Sequence, residues 1–501
     1  MNAKLLCFLL SGSLASGPAF FQAQADDQPQ WGQAWSRNMV SDERNLPVSF
    51  DPRTGSNILW SAELGTETHS SPVVAGGRVY IGTNNGHPRD PAEQGDRGVL
   101  MCFDEKTDRF LWQLAFPKRD EDIYFDWPHS GISSPVTVEQ DRAYFVNNRG
   151  EVLCLDVASA TAKAEGLPPI LWKFNLTTEA GIWSHDAAHS SILVHGDYLC
   201  LNTGTGVDNT HRRIRTPDAP SLVVLDKRTG RLVARENEHI APNIFHSTWS
   251  SPSMGTVKGR PLIFFAAGNG IVYAFDAPEA AMRRSQEPTA SAASTEHPAS
   301  SPANPPVFLN KTWQFDFDPA SPKTNVHLYV SNRRESPSDF FGMPVFHDNR
   351  IYVAGGGDIW WGKNEAWIKC IDATLSGDIT TNGLVWSYPL QKHVLSTPAV
   401  YNGLVFIADC GHTFHCVDAA TGKPCWTHEL KGETWASPLV ADGKAYVGTR
   451  SGAFYIFSAT RAKQILGTLD LGSPISSTAA AANGVLYVAT MNRLYAVGRA
   501  R

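Results

Sequence analysis

Six of the sixteen histidines in this chain occupy one recurring position, just ahead of a Ser-Ser-Pro-like tripeptide: His69, His129, His185, His189, His246 and His393. Carboxylates and tryptophans share that position, namely Glu67, Asp126, Asp186, Asp339 and Glu433, with Trp249 and Trp435. A second recurring position adds Asn84, Asn85, Asn147 and Arg149, then Asp208, then Asp358 with Trp360 and Trp361, then Asp409 with His412, and Arg450. Neutral imidazole is the commonest metal ligand and the side chain that titrates nearest neutrality. Titratable and aromatic groups converging on one concavity mark a ligand pocket. The chemistry therefore depends on whether the fold brings these recurring positions together.

The repeat that carries them answers this. Asp-x-x-Thr-Gly-x-x-x-Trp occurs as Asp418, Thr421, Gly422 and Trp426, and with one more spacer as Asp51, Thr54, Gly55 and Trp60. In a third copy, Asp104, Thr107 and Trp112, Asp108 replaces the glycine. The Asp carboxylate accepts backbone N–H groups, Gly supplies the positive φ that closes a hairpin, and Trp begins the next strand with a large apolar face and one N–H to satisfy. Between these turns lie eight strand starts: Ser71-Pro72, Ser134-Pro135, Ser190-Ser191, Ser251-Pro252, Met343-Pro344, Thr397-Pro398, Ser437-Pro438 and Ser477-Thr478. The spacing is 40 residues where loops are tight, as from Ser437 to Ser477. Eight such units predict an all-β chain: an eight-bladed β-propeller of four-stranded antiparallel blades. The orphan strand at Ile58–Leu64 is expected to close the ring beside Leu494–Val497 in the last blade. Blade turns alternate between two faces. The Gly-Gly and Asp-x-x-Thr-Gly turns share one, and both His-rich positions share the other, at the rim of the central channel.

Residues 1–25 read as a cleaved secretory signal, with Lys4, an apolar Leu5–Leu10 run and Ala23-Gln24-Ala25 ahead of Asp26. Residues 26–45 form an N-terminal extension and 46–501 the propeller, within which the Ser/Ala/Pro/Thr-rich stretch 283–306 is expected to be disordered. No segment has the length and apolarity of a transmembrane helix, so the protein is expected in the periplasm or secreted. A net charge of −6 without a basic run argues against nucleic acid. Cys102, Cys154, Cys370 and Cys416 each stand two residues before a blade Asp, which suits buried apolar side chains rather than staples.

The Asp-x-x-Thr-Gly-x-x-x-Trp blades resemble the pyrroloquinoline quinone-type repeat over residues 46–501. That repeat occurs in quinoprotein alcohol dehydrogenases and in the outer-membrane assembly lipoprotein of the β-barrel machinery. WD-type repeats instead place Trp and Asp side by side. The dehydrogenase resemblance implies a quinone stacked on a Trp floor, Ca²⁺ held by Glu and Asn, an Asp base and basic residues for the quinone carboxylates. In this chain Trp249, Trp435, Arg149 and Arg450 are the residues eligible to hold such a cofactor, with Asp186 and Glu67 eligible for catalysis. No Cys-Cys pair and no Cys-x-x-Cys-His haem site accompanies them. The expectation is an exported binding or scaffold module that meets a protein partner or small molecule through its His-rich top face. The alternative is a quinone-dependent dehydrogenase of an alcohol or sugar, and the third reading is a propeller whose six clustered histidines ligate a metal.

Overall fold

Each Asp-x-x-Thr-Gly turn follows its residue chemistry. Asp418 Oδ1 accepts from the Ala420 and Thr421 amides and from Thr421 Oγ1, at 3.2, 2.8 and 2.7 Å. Those bonds, with Arg461, hold the Asp418 carboxyl down at about 2. Gly422 takes φ 70°, and a Cβ there would lie 2.7 Å from the Trp386 ring of the preceding blade. The glycine is thus required both by backbone conformation and by its neighbour's tryptophan.

The computed structural model describes residues 27–122, 124–158, 166–187, 189–286 and 305–499. Eight antiparallel blades form a ring. Blade 1 runs Val73–Ala75, Arg78–Asn84, Arg97–Asp104, Phe110–Pro117, and blades 2 to 7 begin at Thr137, Leu193, Ser253, Ser338, Ala399 and Leu439. Blade 8 takes three strands from the C-terminal end (Ala480–Ala482, Val485–Ala489, Arg493–Val497) and its outer strand, Ile58–Glu63, from the N-terminal end. Ile58 pairs with Val497 and Glu63 with Arg493, so the ring closes as expected. Every blade has a bulge where the third strand meets the fourth, two residues before an Asp in blades 1 to 6 and before Ser458 and Gly498 in blades 7 and 8; Cys102, Cys154, Cys370 and Cys416 sit there opposite Trp112, Trp172, Trp386 and Trp426. All seven described cysteines are free thiols, six of them buried.

The core is divided into eight apolar clusters, one for each interface between neighbouring blades. The outer-strand tryptophans bridge these interfaces. Indole N–H groups of Trp60, Trp172, Trp313, Trp386 and Trp426 each donate to a backbone carbonyl of the next blade, at Glu105, Lys227, Ala373, Ala419 and Thr460. One residue type thus fills the apolar gap and satisfies a polar group across it.

The N-terminal extension does not stand apart from the propeller. It runs round the inner edge of the ring and touches every blade. Backbone carbonyls of Gln28, Pro29, Trp35, Ser36 and Met39 accept from Val74, Val138, Met254, Phe346 and Val440 on five inner strands. Trp35 Nε1 reaches Val194 O, Asn38 bonds Val400 in both directions, and Ser41 Oγ reaches Ala481 O, completing the circuit. Inner strands are short edge strands with unpaired backbone groups, which this strap satisfies. Its centre is Arg37, fully buried, whose guanidinium donates to Pro252 O, Trp31 O, Ser191 Oγ and Ser191 O. Burial lowers Arg37 to about 9.

Helix Pro278–Gln286 occupies the start of the stretch expected to be disordered, and residues 287–304 lie outside the described residues, as does the signal segment 1–25. No helix among the described residues is long and apolar enough to cross a membrane.

Candidate functional site

With the strap across one end, the channel becomes a blind cup of about 700 Å³ that opens on the His-rich face. Its lining is dominated by aromatic rings: Trp31 from the strap, Tyr124, Trp127, Trp249, Phe341, Trp360, Trp361 and Trp435. Of the residues the sequence made eligible for catalysis or for holding a cofactor or metal, Glu67, His69, His185, Asp186, His189, His246, Trp249, Trp435 and Arg450 line it.

Three do not. Arg149 turns away to donate to the Pro117 and Lys118 carbonyls. His129 is largely exposed, 3.7 Å from Asp96. His393 is buried and donates through Nε2 to Lys363 O at 2.9 Å. For these, a shared position in the repeat did not mean a shared direction, because each blade's loops differ.

On the wall nearest blades 2 to 5, His185 and His246 meet a histidine that the repeat pattern had not marked, His211. Their rings are 4.8 to 5.4 Å apart between centroids. The cause lies in the backbone. Residues 203–221 link the second and third strands of blade 3, and residues 204–207 of that link insert between two neighbouring segments, with isolated β-bridges from Thr205 to Ser184 and from Gly206 to Ser247. His185 N donates to Gly204 O and Gly206 N to Trp183 O on one side; Val207 N donates to His246 O and Thr248 N to Thr205 O on the other. Gly206 makes this possible: a Cβ would lie 2.7 Å from both His185 Cβ and His246 O. Past it, Asp208 caps a tight turn through Thr210 and places His211 at φ 57°. Asp186 has φ 54°. Left-handed conformations at non-glycine residues cost roughly 1–3 kcal/mol each and cluster at functional sites.

Hydrogen bonds fix two of the imidazoles. His185 Nδ1 donates to Val207 O at 2.9 Å, and His246 Nδ1 donates to Asp358 Oδ2 at 2.7 Å. Asp358, fully buried, also accepts the Trp360 and Trp361 amides. Burial alone would raise its pKa; His246 and those amides overcome burial and keep it low. Burial and the His246 charge lower His185 to about 3, and burial and the other two imidazoles lower His211 to about 4. For His246 burial is outweighed by Asp358, and its pKa rises. Asp186 Oδ2 lies 3.8 Å from His185 Nε2, while its Oδ1 is buried without a hydrogen-bond partner among the described residues.

The opposite wall differs. Arg450 lies 4.2 Å over the Trp435 ring and bonds Ser476 Oγ at 2.7 Å, and Glu67 sits 3.5 Å from His69. Back on the side of the triad, His189 stacks on Trp249 at 4.6 Å, and Trp249 lies 5.7 Å from His246.

An eight-bladed propeller with one sealed end and one aromatic, histidine-bearing mouth is thus the class of molecule the fold and site define. The PQQ-like repeat family described as "Outer membrane protein assembly factor BamB" matches residues 48–304 and 364–500, and this chain belongs to that family. Among solved structures it is similar to BamB from Moraxella catarrhalis, at 14% identity and TM-score 0.54 over 88% of this chain and 98% of that one. It is also similar to the computationally designed Ika8 protein, at 10% identity and TM-score 0.51 over 88% and 99%. Both likenesses concern the fold. A 1-butanol dehydrogenase (cytochrome c) from Thauera butanivorans is 29% identical over 96 residues, 17% of this chain and 14% of that enzyme. The chain thus matches only a small part of that curated relative.

The residues present do not fit the quinone and Ca²⁺ that the resemblance implied. Arg450 lies over one face of Trp435 and His189 over one face of Trp249, so each indole already has a polar group stacked on it. Arg149, the second basic group, faces elsewhere. Asn84 Oδ1 is occupied by the Thr66, Glu67 and Gly86 amides rather than turned toward a cation beside Glu67.

Proposed function

We propose that this protein is an exported binding module whose cup takes up a small, flat, largely apolar molecule, entering from the His-rich face. The observation that carries this reading is the blind, ring-lined cup of about 700 Å³, a size and lining that suit a small ligand held by aromatic contacts and a few polar groups. Residues 1–25 support export. A protein partner is the weaker reading, because protein interfaces rest on exposed surface patches, and here most of the aromatic surface lines a concavity.

Tryptophan fluorescence and thermal shift with 2-naphthoate and cyclohexanecarboxylate as probes provide the test. Saturable quenching by naphthoate, weaker with the saturated ring and reduced at least about tenfold by Trp360→Ala, is expected from lost ring contact. Absence of saturable binding by either probe, together with stable capture of a protein that Trp360→Ala leaves intact, would replace the small-molecule reading with the scaffold one.

A further inference from the structure

We infer that His185, His211 and His246 form a mononuclear transition-metal site in the wall of the cup, with a coordination position open toward the cup. One ring nitrogen from each lies within 4.8 Å of the others. An ion with metal–nitrogen bonds of about 2.0–2.1 Å needs its ligand atoms about 3.3 Å apart. Closing that gap takes a movement of up to about 1.5 Å, and His211, half-buried at a loop tip, has the freedom to supply most of it.

Tautomer is the stronger argument. Because His185 Nδ1 and His246 Nδ1 are committed as donors to Val207 O and Asp358 Oδ2, the Nε2 atoms are left as the lone-pair nitrogens. A backbone carbonyl behind one ligand and a carboxylate behind the next is the outer shell that orients metal-binding imidazoles and raises their basicity. Asp358, anchored by the Trp360 and Trp361 amides, brings a buried negative charge to offset that of an ion. Asp186, with its unpartnered Oδ1, brings a second carboxylate to the rim of the same space.

The donor set selects the ion. Three imidazole nitrogens suit Zn²⁺, Cu²⁺, Ni²⁺ or Co²⁺, whereas Ca²⁺ requires six to eight oxygens. Three protein ligands leave a tetrahedral ion one position for water or a small ligand, the arrangement of catalytic rather than structural sites. Trp361 lies 4.5 Å from His211, and Trp360 and Trp249 lie 5.4 and 5.7 Å from His246. An ion there would face an aromatic wall of the cup. This inference concerns the triad alone and stands whichever organic molecule enters the cup.

The test uses the full chain stripped with EDTA and titrated with Co²⁺ and then Zn²⁺, followed by visible absorption, calorimetry and elemental analysis. The expected result is one equivalent bound, with Co²⁺ showing the intense visible bands of a four- or five-coordinate site. His211→Ala, a substitution on a half-buried loop that leaves the blades intact, should weaken binding on the order of a hundredfold, because one of three ligands is gone. Asp358→Asn should weaken it by about ten- to a hundredfold through the outer shell. His69→Ala, at a residue that lines the cup beside Glu67 and away from the triad, should stay within about threefold of the parent. The assignment is overturned if the parent binds no ion at one equivalent, if His211→Ala keeps the parent's affinity with an unchanged melting temperature, or if His69→Ala removes binding equally.

Discussion

Blades 6 to 8 and blades 2 to 5 are built on the same repeat and put it to different use. In the first group the motif ahead of each inner strand recurs every 40 residues, at Thr397, Ser437 and Ser477, and the strands are joined by short turns. In the second, long links interrupt the pattern: residues 203–221 in blade 3 and the segments around Asp339 and Asp358 in blade 5. His211, Asp358, Trp360 and Trp361 all come from such links. The repeat provides the ring and its interfaces, and departures from the repeat provide the chemistry. A substitution in the regular half should therefore cost stability and spare the site, and one in the elaborated half should do the reverse.

The largest effect expected is that of Trp426→Ala. Trp426 packs against Phe406, Phe414 and Phe457 across the interface of blades 6 and 7 and donates to Thr460 O. Its removal leaves a cavity and an unsatisfied carbonyl, a loss of about 3–5 kcal/mol by equilibrium denaturation. Co²⁺ titration of the folded variant should match the parent. A changed metal affinity would mean that the two halves are coupled and that the comparison fails.

Arg37→Met tests the sealed end. The Pro252 and Ser191 carbonyls would lose their donors at the axis, a cost of about 2–3 kcal/mol. The N-terminal strap should then become the first site of limited proteolysis. Cleavage appearing first in the blades would show that the strap is held by its main-chain bonds alone.

Gly206→Ala sharpens the comparison from the other side. A methyl group there meets His185 Cβ and His246 O, so the segment at residues 204–207 must move away from its neighbours. A cost of about 1–3 kcal/mol is expected for overpacking, smaller than that for Trp426, with loss of the metal site. Retained Co²⁺ binding would show that the triad does not depend on this insertion.

The same contrast explains what the sequence disclosed. Ring, blade count, closure at Ile58–Glu63 and the two faces were legible because turn and interface residues recur: the pattern of Asp418, Gly422 and Trp426 acts locally in each copy that keeps it. His185 and His246 were legible by position. His211 was not, since it follows no repeat; the length of the 203–221 link on the mouth face was the one available signal. The strap was hidden for another reason. Five of the bonds from residues 27–41 to the blades are made by main-chain carbonyls, which leave no trace in side-chain patterns, and side chains that make others, such as Trp35, Arg37, Asn38 and Ser41, belong to no repeat. Arg149, His129 and His393 show the converse, a recurring position whose side chain is turned by local contacts.

The smallest effect expected is a split in histidine titration within the elaborated half, measured by NMR on the metal-free chain. His246, raised above 6.5 because Asp358 outweighs burial, should hold its proton to higher pH than an unfolded histidine. Its contribution to stability is therefore complete below about 6.5 and is lost as pH climbs through its folded value. His185 and His211, held down by burial to about 3 and about 4, should act in the opposite sense. Their contribution is complete above about 6.5 and is lost as acid drives protons onto them, down toward those folded values. Asp358→Asn should remove the first effect by bringing His246 down to join the other two. Three imidazoles titrating together in the parent would show that Asp358 does not distinguish His246, and the tautomer assigned to that ring would then have to be abandoned.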